Sequence, residues 1–295
     1  MLCYIHPKGN LNMAITSIAK TSAAPKKRAR ALIIARVSFA NAKTLLAAGA
    51  FYIFFIALVV GLLYPSLSGM NLGAYLTSNA IAGLVGAKLK DVSSFSALLA
   101  LELYSSLYAL IWGGIIAYMA GASLPATIEN GTIDLALARP ISRTRYYLEL
   151  WLSAVLGAIF LSLTTALSVW ISTLFVHNAN IDWGWLAIAE LLELALMFLA
   201  SGIGMFFGSF ITASRAAGGA AIGIIALAYL MNTLGTLSDK LTWMLKIEPL
   251  YYTQGIQALA EHSVTAWYPA ILVIAGLVCG IAGLLIFNRR DLPTT

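Results

Sequence analysis

Six long apolar runs, poor in charged residues, constrain the fold of this chain more than any other feature. They lie at residues 46–64, 95–120, 148–176, 185–211, 218–237 and 269–287. Each is close to or above the length of about 20 residues that a helix needs to cross a hydrocarbon core of about 30 Å. Lipid cannot satisfy backbone polar groups, so apolar runs of this length are predicted to be helical. The sequence therefore predicts an all-α, polytopic membrane protein with six transmembrane helices.

The composition supports a membrane class over a soluble one. The 295 residues are 60% hydrophobic and 10% charged, with a mean hydropathy of +0.87, whereas soluble domains carry about 25% charged residues. The net charge of +6 is typical of loops beside anionic lipid, and no aromatic-interleaved basic patch indicates nucleic-acid binding. Cys3 and Cys279 indicate neither a disulfide framework nor a metal site.

The sequence before the first span divides into a tail and a helix. Residues 1–27 are predicted to form a disordered basic tail, and residues 28–290 the transmembrane domain. Residues 28–43 are predicted to form an amphipathic interfacial helix, because Ile33 and Val37 share one face and Arg36 and Lys43 another. A plain basic flank of the first span is the alternative. Residues 72–87 are apolar but short, so we expect them to dip into the membrane without crossing it.

The basic residues predict the orientation. Six spans place both termini on one side, and that side carries Lys8, Lys20, Lys26, Lys27, Arg28, Arg30, Arg36, Lys43, Arg139, Arg143, Arg145, Arg215, Arg289 and Arg290. The other side carries Lys88, Lys90, Lys240 and Lys246. The positive-inside rule then predicts cytoplasmic N- and C-termini in the cell membrane. A seventh span at residues 72–87 would invert everything after it, and the charge distribution disfavours that.

A polar segment at residues 129–145 lies between the second and third spans. It carries Glu129, Asp134, Arg139 and Arg143, and Pro140 indicates a surface element because proline cannot sit inside an undisturbed helix. Leu135 and Leu137 give the segment an apolar side. An element with one apolar and one basic side, held just outside a membrane, is suited to docking on another protein.

These residues carry a resemblance to a known family. Glu129, Gly131, Thr132, Arg139, Pro140 and Arg143 resemble the cytoplasmic signature of the type-2 integral membrane permeases of ABC transporters. Residues 201–216, followed by Gly218 and Gly219, are similar to the junction of their fourth and fifth spans. Residues 243–252 resemble their external motif, with Glu248 and Leu250 where serine and phenylalanine are usual. An ordinary basic interfacial loop at 129–145 is the alternative to the first of these motifs.

The resemblance implies a permease subunit of an ABC exporter. Its coupling helix would use Glu129, Gly131, Thr132, Arg139, Pro140 and Arg143 to seat on a separate ATPase subunit. The expected partners are that ATPase, a second permease copy or paralogue forming a dimer, and the lipid bilayer. The phosphate-binding loop Gly-x-x-x-x-Gly-Lys-Ser/Thr is absent from the sequence. ATP and magnesium are therefore expected on the partner chain, with no cofactor on this one.

No catalytic constellation is visible in the sequence. The three histidines stand far apart, at positions 6, 177 and 262, and no His-Glu-x-x-His zinc motif occurs. We therefore expect neither catalytic residues nor a metal site, and the chain is predicted not to be an enzyme.

Three acidic residues, Glu102, Glu190 and Glu193, lie inside the apolar runs, where a carboxylate is costly. They are the candidate substrate path, an acidic girdle that would favour a cationic cargo. The structural alternative is a set of carboxyls bonded to hydroxyls such as Ser105, Ser106, Thr164 or Thr165. The same glutamates define the alternative function, a stand-alone ion channel or secondary carrier. A membrane scaffold without transport is the third possibility.

Three glycine pairs have the four-residue spacing that lets membrane helices approach closely: Gly204 with Gly208, Gly219 with Gly223, and Gly276 with Gly280. Packing within the chain and a dimer interface are both compatible with this spacing.

Overall fold

The computed structural model describes residues 32–67, 94–133, 141–177 and 179–290. The predicted tail at 1–27 and the predicted dipping segment at 72–87 lie outside the described residues, as do Arg139 and Pro140. The chain divides into two units, Met1–Ile33 and Ile34–Thr295. The second unit contains all six of the long apolar runs.

The described residues form nine α-helices and no β-strand. Six of the helices are long and apolar enough to cross a membrane, which confirms the predicted helical membrane protein. The helices are α1 (Ile33–Asn41), α2 (Lys43–Leu67), α3 (Phe95–Leu103), α4 (Ser106–Glu129), α5 (Arg143–Thr173), α6 (Trp183–Phe210), α7 (Ser214–Leu237), α8 (Gly255–Glu261) and α9 (Tyr268–Arg289). Two short 3-10 helices, Asp239–Met244 and Pro249–Tyr252, lie between α7 and α8.

The structure differs from the sequence prediction at the second span. The run at 95–120 is not one helix, because α3 ends at Leu103 and α4 begins at Ser106. Ser105 is the N-cap of α4, and its hydroxyl accepts a hydrogen bond from the backbone N–H of Tyr108 at 3.4 Å. Serine favours such caps because its oxygen satisfies a helix-end N–H. The spanning helix is therefore α4, which ends at Glu129 and not at residue 120.

The first spanning helix extends beyond residue 64, where the sequence predicts that the span ends. Helix α2 contains Pro65 and runs on to Leu67. A proline in the last turn breaks only a terminal part of the hydrogen-bond ladder, so the helix accommodates it there.

Helix α6 is the centre of the bundle. It packs against α4, α5, α7 and α9, and 72% of its most apolar window is buried, against 28% for α2, α7 and α9. Glycines make these contacts close. A Cβ atom at Gly204 would collide with the carbonyl oxygen of Ala117 in α4, and one at Gly202 with the carbonyl oxygen of Gly276 in α9. Only glycine permits backbones to approach to this extent.

The structure assigns two of the three glycine pairs to packing within the chain. Gly204 and Gly208 face the backbone of α4, while Gly276 faces Leu199 and Gly280 faces the Trp151 ring. The pair Gly219 and Gly223 is different. Both residues are exposed on α7, and a Cβ atom at either would meet no atom of the described residues within 4 Å. A dimer interface stays a prediction for this pair alone.

Candidate functional site

Four of the residues predicted to couple to an ATPase are described by the structure, and they lie at one end of the bundle: Glu129, Gly131, Thr132 and Arg143. Glu129 is the last residue of α4, and its carboxylate accepts a hydrogen bond of 2.9 Å from the backbone N–H of Ser214, the first residue of α7. The Thr132 hydroxyl donates to the carbonyl oxygen of Thr127 at 3.2 Å. Glu129 therefore joins the two helices that begin and end at this side of the bundle.

Gly131 has a left-handed backbone conformation immediately after the end of α4. Its φ of +65° lies in the left-handed region, which glycine adopts without the steric cost that a Cβ atom brings. The structure leaves open space around it, since a Cβ atom there would meet no described atom within 4 Å. Its glycine is thus explained by backbone conformation and not by close packing.

Arg143, the first residue of α5, and Arg290 together link the ends of α5, α9 and α6. The Arg143 guanidinium donates a hydrogen bond of 2.8 Å to the carbonyl oxygen of Arg290, which follows α9. Arg290 in turn donates to the carbonyl oxygen of Ser209, in the last turn of α6, at 3.1 Å. A cation at a helix C-terminus also interacts favourably with the helix dipole. Glu129 and Arg143, which flank residues 134–140 in the sequence, are therefore both bonded to other parts of the bundle.

Glu149 holds the N-terminal helix against the same end. Its carboxylate accepts a hydrogen bond of 3.0 Å from the backbone N–H of Ile34 in α1 and one of 2.9 Å from the Arg145 guanidinium. The hydroxyls of Ser38 and Ser153 form a further hydrogen bond of 2.9 Å between α1 and α5. No sequence pattern pointed to Glu149, because it lies at the start of an apolar run and resembles a boundary residue.

The candidate path residues separate into a buried pair and an exposed residue. Glu190 and Glu193 are buried in α6, whereas Glu102 is exposed on α3. The Glu190 carboxylate accepts two short hydrogen bonds, 2.6 Å from the Tyr104 hydroxyl and 2.5 Å from the Ser162 hydroxyl. Of the three residues of the predicted acidic girdle, only Glu190 and Glu193 therefore lie in the core of the bundle.

The hydroxyls named from the sequence are not the partners of these carboxyls. Thr165 bonds to the Tyr108 hydroxyl at 2.7 Å, and Ser106 bonds to Asn232 at 2.6 Å. Tyr104 was not predicted as a site residue. It follows α3 directly, so the break at residues 104 and 105 is what turns its side chain towards α6.

Glu193 has no such support. It is 1% exposed, and neither of its carboxyl oxygens has a hydrogen-bond partner among the described residues. A buried polar group without a partner costs free energy that the fold does not recover. This arrangement is one in which a proton or a cationic ligand would complete the carboxyl.

Glu248 forms a second buried polar network at the opposite end of the bundle. Its carboxylate accepts hydrogen bonds from the Asn232 amide at 2.7 Å and from the backbone N–H of Leu250 at 2.6 Å. Burial raises the pKa of Glu248 to about 7, although the bonds from Asn232 and Leu250 oppose the rise. Glu248 is therefore a cap for the 3-10 helix that follows it.

Glu248 should make stability depend on pH between about 4.5 and 7. Its pKa is higher in the folded chain than the ordinary value of 4.5, so its contribution is fully present below pH 4.5 and is lost as the pH rises through 7. The loss is about 3 kcal/mol for a shift of this size. Unfolding of the wild type and of Glu248→Gln should be measured at pH 4.5 and pH 8, and the loss of stability between the two pH values should be about 3 kcal/mol smaller in the variant. Identical slopes in the two proteins would exclude Glu248 as the titrating group.

The described residues contain no group of three or more metal-ligating side chains. Comparison of the sequence with protein-family models yields no match, and comparison with curated proteins yields none either.

Proposed function

We propose that this chain is the membrane-spanning permease subunit of an ABC exporter, coupled to a separate ATPase through residues 129–145. The observation that carries the proposal is the anchoring of this segment on both sides, by Glu129 to α7 and by Arg143 to α9. A segment that must transmit force to a helical bundle needs firm attachment where it enters and leaves. The resemblance of the same residues to the family signature adds to this.

The charge distribution supports a cytoplasmic position for this end of the bundle. Among the described residues, Arg143, Arg145, Arg215, Arg289 and Arg290 lie at this end and Lys240 and Lys246 at the other. The positive-inside rule favours the first side as cytoplasmic. The proposal therefore has both termini in the cytoplasm and the protein in the cell membrane.

The proposal divides the coupling residues into two roles. Glu129 and Arg143 are anchors, because their side chains are bonded within the chain. Gly131, Thr132, Arg139 and Pro140 are the docking residues, with Gly131 providing the left-handed backbone conformation that glycine adopts most easily. ATP and magnesium would bind on the ATPase, and closure of the ATPase would shift an equilibrium between inward-open and outward-open states.

The proposal includes a second permease copy. The exposed face of α7 that carries Gly219 and Gly223 is the one of the three predicted glycine surfaces not used for packing among the described residues. Small residues at this spacing are common where two membrane helices associate. Cysteine cross-linking at Gly219 in native membranes would detect the dimer.

The proposed docking can be tested by purification from native membranes in mild detergent. The wild type should carry an associated ATPase, recognised by a phosphate-binding loop in its sequence and by magnesium-dependent ATP hydrolysis. The double variant Gly131→Arg, Arg139→Glu should lose at least nine-tenths of it, because a charge reversal and a bulky side chain on a docking surface each cost several-fold in affinity. Glu129 and Arg143 are left unchanged because their loss would disturb the bundle itself.

Arg289→Glu is the matched control. It reverses an exposed charge at the same end of the helical bundle but outside the 129–145 segment. Retention of the ATPase by this variant and its loss from the double variant would support docking at 129–145. A folded wild type that carries no ATPase would refute the proposal, and equal loss from both variants would refute the specific role of the segment.

A stand-alone channel or secondary carrier is the second candidate function, and Glu193 is the observation that favours it. A buried carboxyl without a partner in a spanning helix is typical of an ion or proton pathway. Transport by purified protein in vesicles without ATP, abolished by Glu193→Gln, would support this candidate. In the exporter proposal, the same substitution together with Glu190→Gln should alter the export rate or its pH dependence, and an unchanged rate would remove the pair from the path.

A further inference from the structure

A cavity of about 260 Å³ lies at the end of the bundle opposite the 129–145 segment. Its walls come from the junction of α3 and α4, the end of α7, the loop that contains the 3-10 helices, and the start of α8. The lining residues that matter for its chemistry are Tyr104, Thr236, Asp239, Tyr251, Thr253 and Gly255.

The lining is suited to a cation. It contains Asp239, two tyrosines and several serine and threonine residues, and no lysine, arginine or histidine is part of the cavity wall among the described residues. Lys240 follows Asp239 but does not line the cavity. Carboxylates and the faces of aromatic rings attract ammonium groups, and hydroxyl oxygens can accept their hydrogen bonds.

Glu193 lies directly behind the wall of this cavity. A Cβ atom at Gly255 would be 3.1 Å from the Glu193 Oε1 atom and 2.9 Å from the Tyr104 ring. Gly255 lines the cavity and packs against Glu193, so the carboxyl lies one residue away from the cavity wall. Both Glu193 oxygens lack a donor among the described residues. A carboxyl without a hydrogen-bond partner therefore lies close to the cavity.

We propose that this cavity binds a small organic monocation, with its ammonium group at Asp239 and beside the tyrosine rings, in the field of Glu193. The volume is just below the range of about 300–1,000 Å³ typical of pockets for drug-sized ligands, so the ligand is small. The cation is one of choline or ethanolamine size, carried by a free solute or by a lipid headgroup. The inference does not rest on the exporter proposal, because it concerns binding by this chain alone.

Equilibrium dialysis of the purified full chain against labelled choline tests the inference. The detergent should have an uncharged sugar headgroup, and the ionic strength should be constant. Choline should bind at least about tenfold more tightly than 3,3-dimethylbutan-1-ol, its neutral isostere, since a cation over aromatic rings and beside a carboxylate gains about that factor. Equal binding of the two would overturn the inference, as would no choline binding by the wild type.

Two variants and a matched control locate the site. Asp239→Asn should weaken choline binding about tenfold, and Glu193→Gln should weaken it about threefold, because the second carboxyl acts through the wall. Asp182→Asn makes the same change at another loop on the same side, where asparagine still caps α6, and should leave binding unchanged. Asp239 is exposed, so its variant should fold. Equal effects at positions 182 and 239 would overturn the assignment.

Lipid nanodiscs separate the two sources of the ammonium group. Loss of choline binding in phosphatidylcholine discs, with binding retained in phosphatidylglycerol discs, would identify the lipid headgroup as the occupant. Binding retained in both would identify a free solute.

Discussion

Gly204→Ala is expected to lower the free energy of unfolding by about 2 kcal/mol, although alanine is the better helix former. The added methyl group would collide with the Ala117 carbonyl oxygen and approach the Ala120 Cβ atom at 2.7 Å. Both belong to α4, so a helix backbone would have to move. Because α6 is the central helix, such a shift would disturb its contacts with several neighbours.

Gly114→Ala is the matched control for Gly204→Ala. It adds the same methyl group in another spanning helix, α4, at a position where a Cβ atom would meet no described atom within 4 Å. It should leave stability unchanged or raise it by up to about 1 kcal/mol through helix propensity. Unfolding in mixed micelles with increasing denaturing detergent measures both. Equal losses at the two positions would contradict the packing assigned to α4 and α6.

Glu190→Met and Glu193→Met should change stability in opposite directions, although the two residues are one turn apart on the same helix. Glu190→Met leaves the Tyr104 and Ser162 hydroxyls without their acceptor, and should cost about 2–4 kcal/mol. Glu193→Met removes a buried carboxyl without a partner, and should be neutral or stabilising by about 1 kcal/mol. Methionine has a similar length and adapts to its surroundings, so cavity effects should be small in both.

The same unfolding assay, in one detergent and at one pH, compares the two methionine variants with the wild type. A loss at Glu193 as large as that at Glu190 would show that Glu193 has a partner and would contradict its isolation. If Glu193→Met is stable but binds choline more weakly than the wild type does, the carboxyl is retained for function and not for folding. Glu190→Met cannot separate the two roles, because Glu190 belongs to the candidate substrate path and also accepts the hydrogen bonds of Tyr104 and Ser162.

The spans could be predicted from the sequence because a membrane imposes length and hydropathy on each of them. The central position of α6 could not, since six apolar runs look alike until the helices pack. The glycine pairs were visible in the sequence. Their four-residue spacing alone could not distinguish Gly204, which contacts α4, from Gly219, where a Cβ atom would meet no described atom within 4 Å.

The partners of the carboxyls were missed for a related reason. The sequence predicted one span at 95–120, whereas α3 ends at Leu103 and Ser105 caps α4, and Tyr104 between them bonds to Glu190. Serine is common in membrane helices, so one serine cap is a weak signal in a sequence. Glu248 shows the opposite case. Its departure from the family motif was visible, but its bond to Asn232 depends on a loop that folds back on α7.

Helices α4 and α7 are fastened to each other at both of their ends. Glu129 bonds to Ser214 at one end, and Ser106 bonds to Asn232 at the other. Two helices that are hydrogen-bonded to each other at both ends cannot bend independently, so we expect them to tilt together. With 24 residues, α4 is about 36 Å long. We therefore expect that a displacement of one or two ångströms beside Gly131 would also shift the wall of the cavity that Ser106 and Thr236 line.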